Sequence, residues 1–540
     1  MKIRLQSSRL GVGLLCGLFI FLFTTQTFAQ PDLPNSYNVP EQALSVEDIT
    51  GTLHGFSIFG DQPYDNAGKS VASGDINGDG YDDIIIGAFH ADVGDSTDAG
   101  KTYVVFGSAN GVDHEFDLST LDGSNGFTAN GVRMTSESGH SVSSGDINGD
   151  GYDDVIIGAW GEYVTNATGN TFVIWGKASG YSASIDLKNA DANSFFTING
   201  IDFQDRAGYS VASGDVNGDS YDDVIIAAQG ADPDSRNFAG ETYIVYGKSS
   251  SFGTSFDLSS LDGSNGFTLE GIDGNDVSAT TVSSGDVNGD GYDDVIIGAY
   301  QARPGGRAFA GEAYVYFGKA VADSANIILS DIDGTNGFQL NGHLANDLFG
   351  FHVSNGDING DGYDDVFVLA FHADPNGQEN AGKVYVIFGK ASGFSSSIEV
   401  SALNGTDGFT LEGANANDNA GYSLEAADIN GDGYEDLFIG AQSATVNGKS
   451  AAGEMYVFFG KASGYDATFP LSSINGVNGF KITGSDFNQN IGHSLAGGDV
   501  NGDGYNDVII GAYQSNAGSD AGAGVVHVFT NTRKQTITGS

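Results

Sequence analysis

Residues 146–159 read Asp146-Ile147-Asn148-Gly149-Asp150-Gly151-Tyr152-Asp153-Asp154-Val155-Ile156-Ile157-Gly158-Ala159. An acidic, turn-forming string runs straight into a short apolar stretch rich in β-branched residues. The core of the string, Asp-x-Asn-Gly-Asp, recurs seven times, beginning at Asp75, Asp146, Asp215, Asp286, Asp357, Asp428 and Asp499, at spacings of 69 to 71 residues. Other phrases keep step with it. A small-residue run such as Ser70-Val71-Ala72-Ser73-Gly74 precedes each acidic string. A run such as Tyr103-Val104-Val105-Phe106-Gly107 follows the apolar stretch, and Gly266-Phe267-Thr268-Leu269-Glu270 or its equivalent ends the unit.

Each phrase has the length and boundaries of a β-strand, and no sustained helical spacing is found after residue 30. Seven units of about four strands predict an all-β fold, a seven-bladed β-propeller of four-stranded antiparallel blades. The strand characters suit their places. Ser-Val-Ala-Ser-Gly is small enough for the crowded axis. Val-Ile-Ile-Gly-Ala is apolar on both faces, as a strand sandwiched between blades requires. Phe267-Thr268-Leu269-Glu270 alternates, as an outer strand should.

The ring closure is also written in the sequence. Gly55-Phe56-Ser57-Ile58-Phe59 precedes the first acidic string, and no such phrase follows the seventh. Residues 55–59 are therefore expected to complete the last blade. The predicted organisation is a signal peptide at 1–29, a linker at 30–50, the propeller at 51–530 and a tail at 531–540. In the leader, Lys2, Arg4 and Arg9 precede the apolar run 11–23, and Thr27-Phe28-Ala29 offers a cleavage site. The expected location is outside the cell, with no membrane insertion after cleavage. Cys16, the one cysteine, lies in that leader. A disulfide is thus excluded from the predicted mature chain, and something else must stabilise it.

Composition narrows the partners. Asp and Glu number 70 against 21 Lys and Arg, a net charge of −49. Such a surface repels nucleic acid and anionic lipid and favours cations. Glycine is abundant, at 82 residues, without the three-residue period of collagen.

The acidic strings read as calcium loops. Numbered from the first Asp, side-chain oxygens fall at positions 1, 3, 5 and 9, and the tyrosine at 7 offers its carbonyl. A hard cation with six to eight oxygen ligands suits that set, and calcium suits it better than magnesium. The seven predicted structural sites are Asp75, Asn77, Asp79, Tyr81 and Asp83; Asp146, Asn148, Asp150, Tyr152 and Asp154; Asp215, Asn217, Asp219, Tyr221 and Asp223; Asp286, Asn288, Asp290, Tyr292 and Asp294; Asp357, Asn359, Asp361, Tyr363 and Asp365; Asp428, Asn430, Asp432, Tyr434 and Asp436; and Asp499, Asn501, Asp503, Tyr505 and Asp507. Glycine at position 6 permits the sharp turn, so Ser220 is expected to be strained. Position 8, which varies to Glu435 and Asn506, receives no ligand role, so all seven sites are expected to bind. An EF-hand is excluded, because position 12 is Ile86, Ile157 or similar and flanking helices are lacking.

The Gly-Phe strand, the Asp-x-Asn-Gly-Asp-Gly-x-x-Asp loop and the Gly-Ala turn together resemble the FG-GAP repeat of the integrin α-subunit N-terminal domain. The resemblance spans roughly residues 51 to 530. It implies a seven-bladed propeller with calcium in the hairpins between the first two strands, and ligands on the opposite face. Integrins carry such loops in only some blades, and this chain lacks an inserted adhesion domain, leg domains and a following membrane helix. The αβ-receptor role is therefore not carried over. Secreted bacterial proteins of these repeats are the nearer comparison.

The opposite face holds the least repetitive loops, among them 90–95, 161–165 and 301–307. Phe89, Trp160, Tyr300, Phe371 and Tyr513 begin five of them, with Gln229 and Gln442 in the other two blades. Packing between blades is the plainer reading of this partial aromatic ring; stacking of a sugar or side chain is the other. Arg303 and Arg307 suit either a solvated loop or a ligand carboxylate. His140 and His493 share a tolerant repeat position, and no nucleophile elbow or zinc-binding His-Glu-x-x-His is present. The expected function is a non-enzymatic adhesion or ligand-binding module for a protein or glycan. The alternatives are a glycan-active enzyme and a surface-coat component.

Overall fold

In the computed structural model, residues 43–49, 55–109, 114–161, 168–189, 191–322 and 324–530 are described. The predicted leader, the tail 531–540 and residues 162–165 of one variable loop lie outside them. Seven sheets form, one per acidic string, and the innermost strands touch one another round a closed ring. Blade 1 shows the pattern: Ser70–Gly74 on the axis, then Asp83–Ala88, Lys101–Val105 and Gly126–Asn130 outward. The second strand is buried along its whole length in all seven blades. The small axial residues do more than save space. Ser73 Oγ donates to the Gly497 carbonyl and Ser144 Oγ to the Ser73 carbonyl, each at 2.6 Å, so hydroxyls tie neighbouring inner strands together.

The expectation of four-stranded blades needs one correction. Each sheet has five strands, the fifth short, parallel and supplied by the following blade. Ser184–Asp186, between the third and fourth strands of blade 2, pairs with Gly126–Asn130 of blade 1. The fourth strand is therefore not an open edge. Its burial departs from simple alternation for that reason, and Gly266–Glu270 is buried throughout. The added strand covers a row of backbone groups that would otherwise invite foreign strands.

Closure occurs where expected. Gly55–Phe59 is the fourth strand of blade 7, antiparallel to Val525–Phe529, with Phe56 opposite Val528 and Ile58 opposite Val526. The linker expected at 30–50 contributes as well. Ala43–Ser45 is the fifth strand of blade 6, parallel to Gly479–Thr483, and a one-turn helix, Val46–Ile49, follows it. The N-terminal segment thus supplies the fifth strand of blade 6 and the fourth strand of blade 7, pieces that elsewhere in the ring come from chain following the blade's third strand.

Candidate functional site

The loop face is shaped by carboxylates acting on backbone. In blade 1, Asp75 Oδ1 accepts from the Asp79 amide at 3.0 Å and Asp75 Oδ2 from the Gly80 amide at 2.9 Å, which closes the turn. Asp79 accepts from the Tyr81 amide at 3.1 Å. The last position is the deepest. Asp83 is fully buried and accepts from the Gly107 amide at 2.9 Å and from Asn77 Nδ2 at 3.1 Å. Equivalent bonds hold Asp146, Asp215, Asp286, Asp357, Asp428 and Asp499 to their own turns. Ser220 stands at φ 69°, the left-handed conformation that its glycine counterparts adopt without strain.

Burial pushes Asp83 and Asp154 up to about 8, and Asp294 and Asp365 up to about 9; the carboxylates at positions 5 and 1 push the same way. A buried carboxylate facing two further carboxylates is costly without a counter-charge. The donor set is all oxygen and amide, which fits a hard divalent cation. Among the described residues, however, no group of three or more His, Cys, Asp or Glu side chains stands in a geometry that holds a metal ion. The carboxylates are turned to their own backbone.

Two features of these loops escaped the sequence reading. Position 8, given no ligand role, joins neighbouring blades. Asp153 accepts from the Asp75 amide of the preceding blade at 2.9 Å and returns its own amide to the Asp75 carbonyl at 3.2 Å. Asp222, Asp293, Glu435 and Asp82 make the same two-bond clasp. The Asp364 amide donates to the Asp286 carbonyl at 3.1 Å, and its carboxylate faces the Asp286 backbone while also accepting from Asn355. The tyrosine at position 7 packs its ring on the Asn-Gly glycine of the preceding loop. A Cβ at Gly289 would lie 2.2 Å from Tyr363 Cε1, and the same contact joins Gly78 to Tyr152 and, across the closure, Gly502 to Tyr81. The signal for both was present in the sequence: invariance at position 7 and acidity at six of seven position 8 residues.

The opposite face centres on an axial cavity of about 470 Å³. Its mouth is ringed by the residues six before each loop's first aspartate: Lys69, His140, Tyr209, Thr280, Phe351, Tyr422 and His493. The loop-start aromatics form a second tier against this ring. Phe371 stacks on Phe351 at 4.7 Å, Trp160 meets His140 edge-on at 5.4 Å, and Tyr513 lies 4.2 Å from His493. They pack between blades, as the plainer reading has it, yet Phe89, Tyr300, Phe371 and Tyr513 remain partly exposed. Burial pushes His140 down to about 3 and His352 down to about 4, so both stay neutral at physiological pH. Arg307 is paired with Glu399 at 2.8 Å and Arg303 lies over Phe309 at 4.9 Å, so both have partners within the chain. Around the rim, Tyr64, Met134, Phe203, Leu344 and Phe487 recur in the blade-to-blade loops, each more than half exposed.

No helix among the described residues is long and apolar enough to cross a membrane. Comparison with known proteins places the fold. The FG-GAP repeat model matches residues 67–105, 138–174, 207–245, 278–316, 349–387, 420–458 and 491–529, one match per blade. A phosphatidylinositol-glycan-specific phospholipase D of Dictyostelium discoideum is 26% identical over 312 residues, 56% of this chain and 31% of that protein. Integrin alpha-PS2 of Drosophila melanogaster is 28% identical over 43% of this chain and 15% of its own length. Integrin alpha-V of Gallus gallus is 30% identical over 43% of this chain and 20% of its own. The chain thus spans under a third of each of these relatives. The V. cholerae biofilm matrix protein Bap1 superposes with a TM-score of 0.26 at 11% identity, covering 86% of this chain and 77% of that one, a likeness too low to bear on the argument. One match in every blade, with integrin α-subunits among the relatives, makes this chain a member of the FG-GAP repeat family with an integrin-α-like seven-bladed propeller.

Proposed function

We propose that the protein is an extracellular adhesion or ligand-binding module, a rigid disc whose acidic loops hold structural calcium and whose opposite face meets a protein or glycan. The observation that carries the calcium reading is the fully buried aspartate at position 9 of every loop, facing two more carboxylates. In each site the side chains at positions 1, 3, 5 and 9 and the tyrosine carbonyl at 7 would hold the ion. Bound calcium supplies counter-charge. The chain's own residues do the rest: Asp75 and its equivalents close the turn, and the position 8 clasp and position 7 tyrosine pass that order to the next blade. Binding to the folded state alone adds about 2.7 kcal/mol per site at a hundredfold excess over Kd, which meets the need left by an absence of disulfides.

The exposed apolar rim and the axial mouth support ligand binding on the other face. The phospholipase D relatives are enzymes by name, but the shared region is under a third of the first of them, so no activity is carried over. The test is binding of the labelled protein to cells and to arrays of glycans and matrix proteins, in calcium and in chelator. Saturable, calcium-dependent binding to one ligand class is expected. Product release from a glycan would favour the enzymatic reading, and ordered self-assembly without ligand the surface-coat reading.

A further inference from the structure

The mouth of the axial cavity holds an ammonium group on a protein that is otherwise strongly acidic. Lys69 Nζ lies 3.0 Å from His493 Nε2, 5.5 Å from the centroid of the Phe89 ring and 5.8 Å from that of Tyr513. His493 Nδ1 is 2.6 Å from Gln442 Oε1, an acceptor, so Nδ1 carries the proton and Nε2 presents a lone pair to the lysine. An ammonium has three donors, and His493 satisfies one. Among the described residues Lys69 forms no ion pair, whereas Lys101, Lys383 and Lys481 each do. The Glu137 charge favours the protonated lysine. One residue inward on blade 5, His352 lines the same cavity, and its buried Nδ1 has no hydrogen-bond partner. The cavity therefore offers a cation with spare donors beside flat aromatic faces.

We propose that the axial mouth binds a sugar bearing a single carboxylate, with the carboxylate on Lys69 Nζ and the ring against the aromatic collar. The proposal rests on the ligand-binding reading above and names its ligand class. The volume, about 470 Å³, suits one or two sugar rings. Aromatic faces suit the apolar side of a pyranose. The net charge of −49 argues against polyanions, because every charge beyond the first would meet an acidic surface. The same charge argues against an acidic peptide. A cationic side chain is disfavoured, because Lys69 already occupies the aromatic cage.

The test is calorimetric titration of the calcium-loaded full chain with methyl glucuronoside, methyl glucoside and a glutamate-rich peptide. Glucuronoside is expected to bind at least tenfold more tightly than either of the others. Lys69→Met is expected to lose at least tenfold for glucuronoside with little change in Tm, and Lys69→Arg to retain most of the binding. Equal binding of the glucoside, preference for the peptide, an unaffected Lys69→Met variant, or no glucuronoside binding by folded protein would each overturn the proposal. If wild type and Lys69→Met bound the same uncharged array ligand equally, the adhesive reading would stand and this one would fall.

Discussion

Ser57 Oγ and His527 Nδ1 share a hydrogen bond of 2.9 Å across 470 residues of chain. The pair sits in register between the N-terminal strand and the last strand of the chain, so the ring closes through a buried polar contact flanked by apolar ones. Phe56 and Ile58, either side of Ser57, are almost fully buried.

Closure should therefore be expensive to break. Ile58→Ala is expected to cost about 2–5 kcal/mol, as for other fully buried aliphatic truncations. Deletion of residues 43–59 should cost more than that, since both the fourth strand of blade 7 and the fifth strand of blade 6 are lost. Removal of 43–49 alone should cost less. Denaturant unfolding of the three variants checks the order, and equal stability of wild type and the 43–59 deletion would contradict the closure.

Acid should act on the same contact. Free histidine titrates near 6.5, and burial pushes His527 down to about 4. Between those values the unfolded chain takes up a proton that the folded chain refuses. The contribution of His527 is complete above about pH 7 and falls with decreasing pH, by up to about 1.4 kcal/mol per pH unit, until about pH 4. The stability difference between wild type and His527→Asn should shrink correspondingly from pH 7 to 4.5. A difference that stays constant would show that His527 does not titrate with unfolding.

The tyrosine–glycine ring gives a test of blade-to-blade coupling. Gly289→Ala meets the Tyr363 ring at a Cβ distance of 2.2 Å and a φ of +71°, whereas Gly291→Ala at φ +87° meets open space. Gly291→Ala should cost about 1 kcal/mol from conformation alone, and Gly289→Ala at least about 1 kcal/mol more. In a double-mutant cycle with Tyr363→Ala the extra cost should largely disappear. Ser220→Gly should stabilise by about 0.5–1 kcal/mol, by relieving the left-handed serine.

The position 8 clasp predicts a polar counterpart. Asp222→Ala leaves the Asp146 amide without its 2.9 Å acceptor. The expected cost is about 1–3 kcal/mol. The same change at Asn506 should cost less, since that residue makes no such clasp among the described residues. Chemical denaturation of both variants separates the two.

The strands and their order were legible because each is a short apolar phrase bounded by glycine or acid and repeated seven times. Closure was legible by counting phrases. The fifth strand was not, because Ser184-Ile185-Asp186 has one partly buried residue between two exposed ones and no apolar run. Its sheet position depends on the neighbouring blade, not on its own residues. The same holds for Ala43–Ser45, which sat in a stretch read as linker. Asp153 and Tyr152 were visible as repeated residues, but their partners Asp75 and Gly78 lie a whole repeat away, a distance no local pattern spans. Lys69 shares the repeat position of His140 and His493 and carries no signal of its own in the sequence; only the closed ring brings His493, Phe89 and Tyr513 around it.

Calcium in the seven loops should hold the propeller together. The direct measurement is bound calcium per chain after equilibrium dialysis, with the melting temperature recorded in calcium and in chelator. The account predicts a stoichiometry approaching seven and a Tm that falls by about 10 °C or more in chelator. A chain that retains no calcium and melts at the same temperature in both would contradict it.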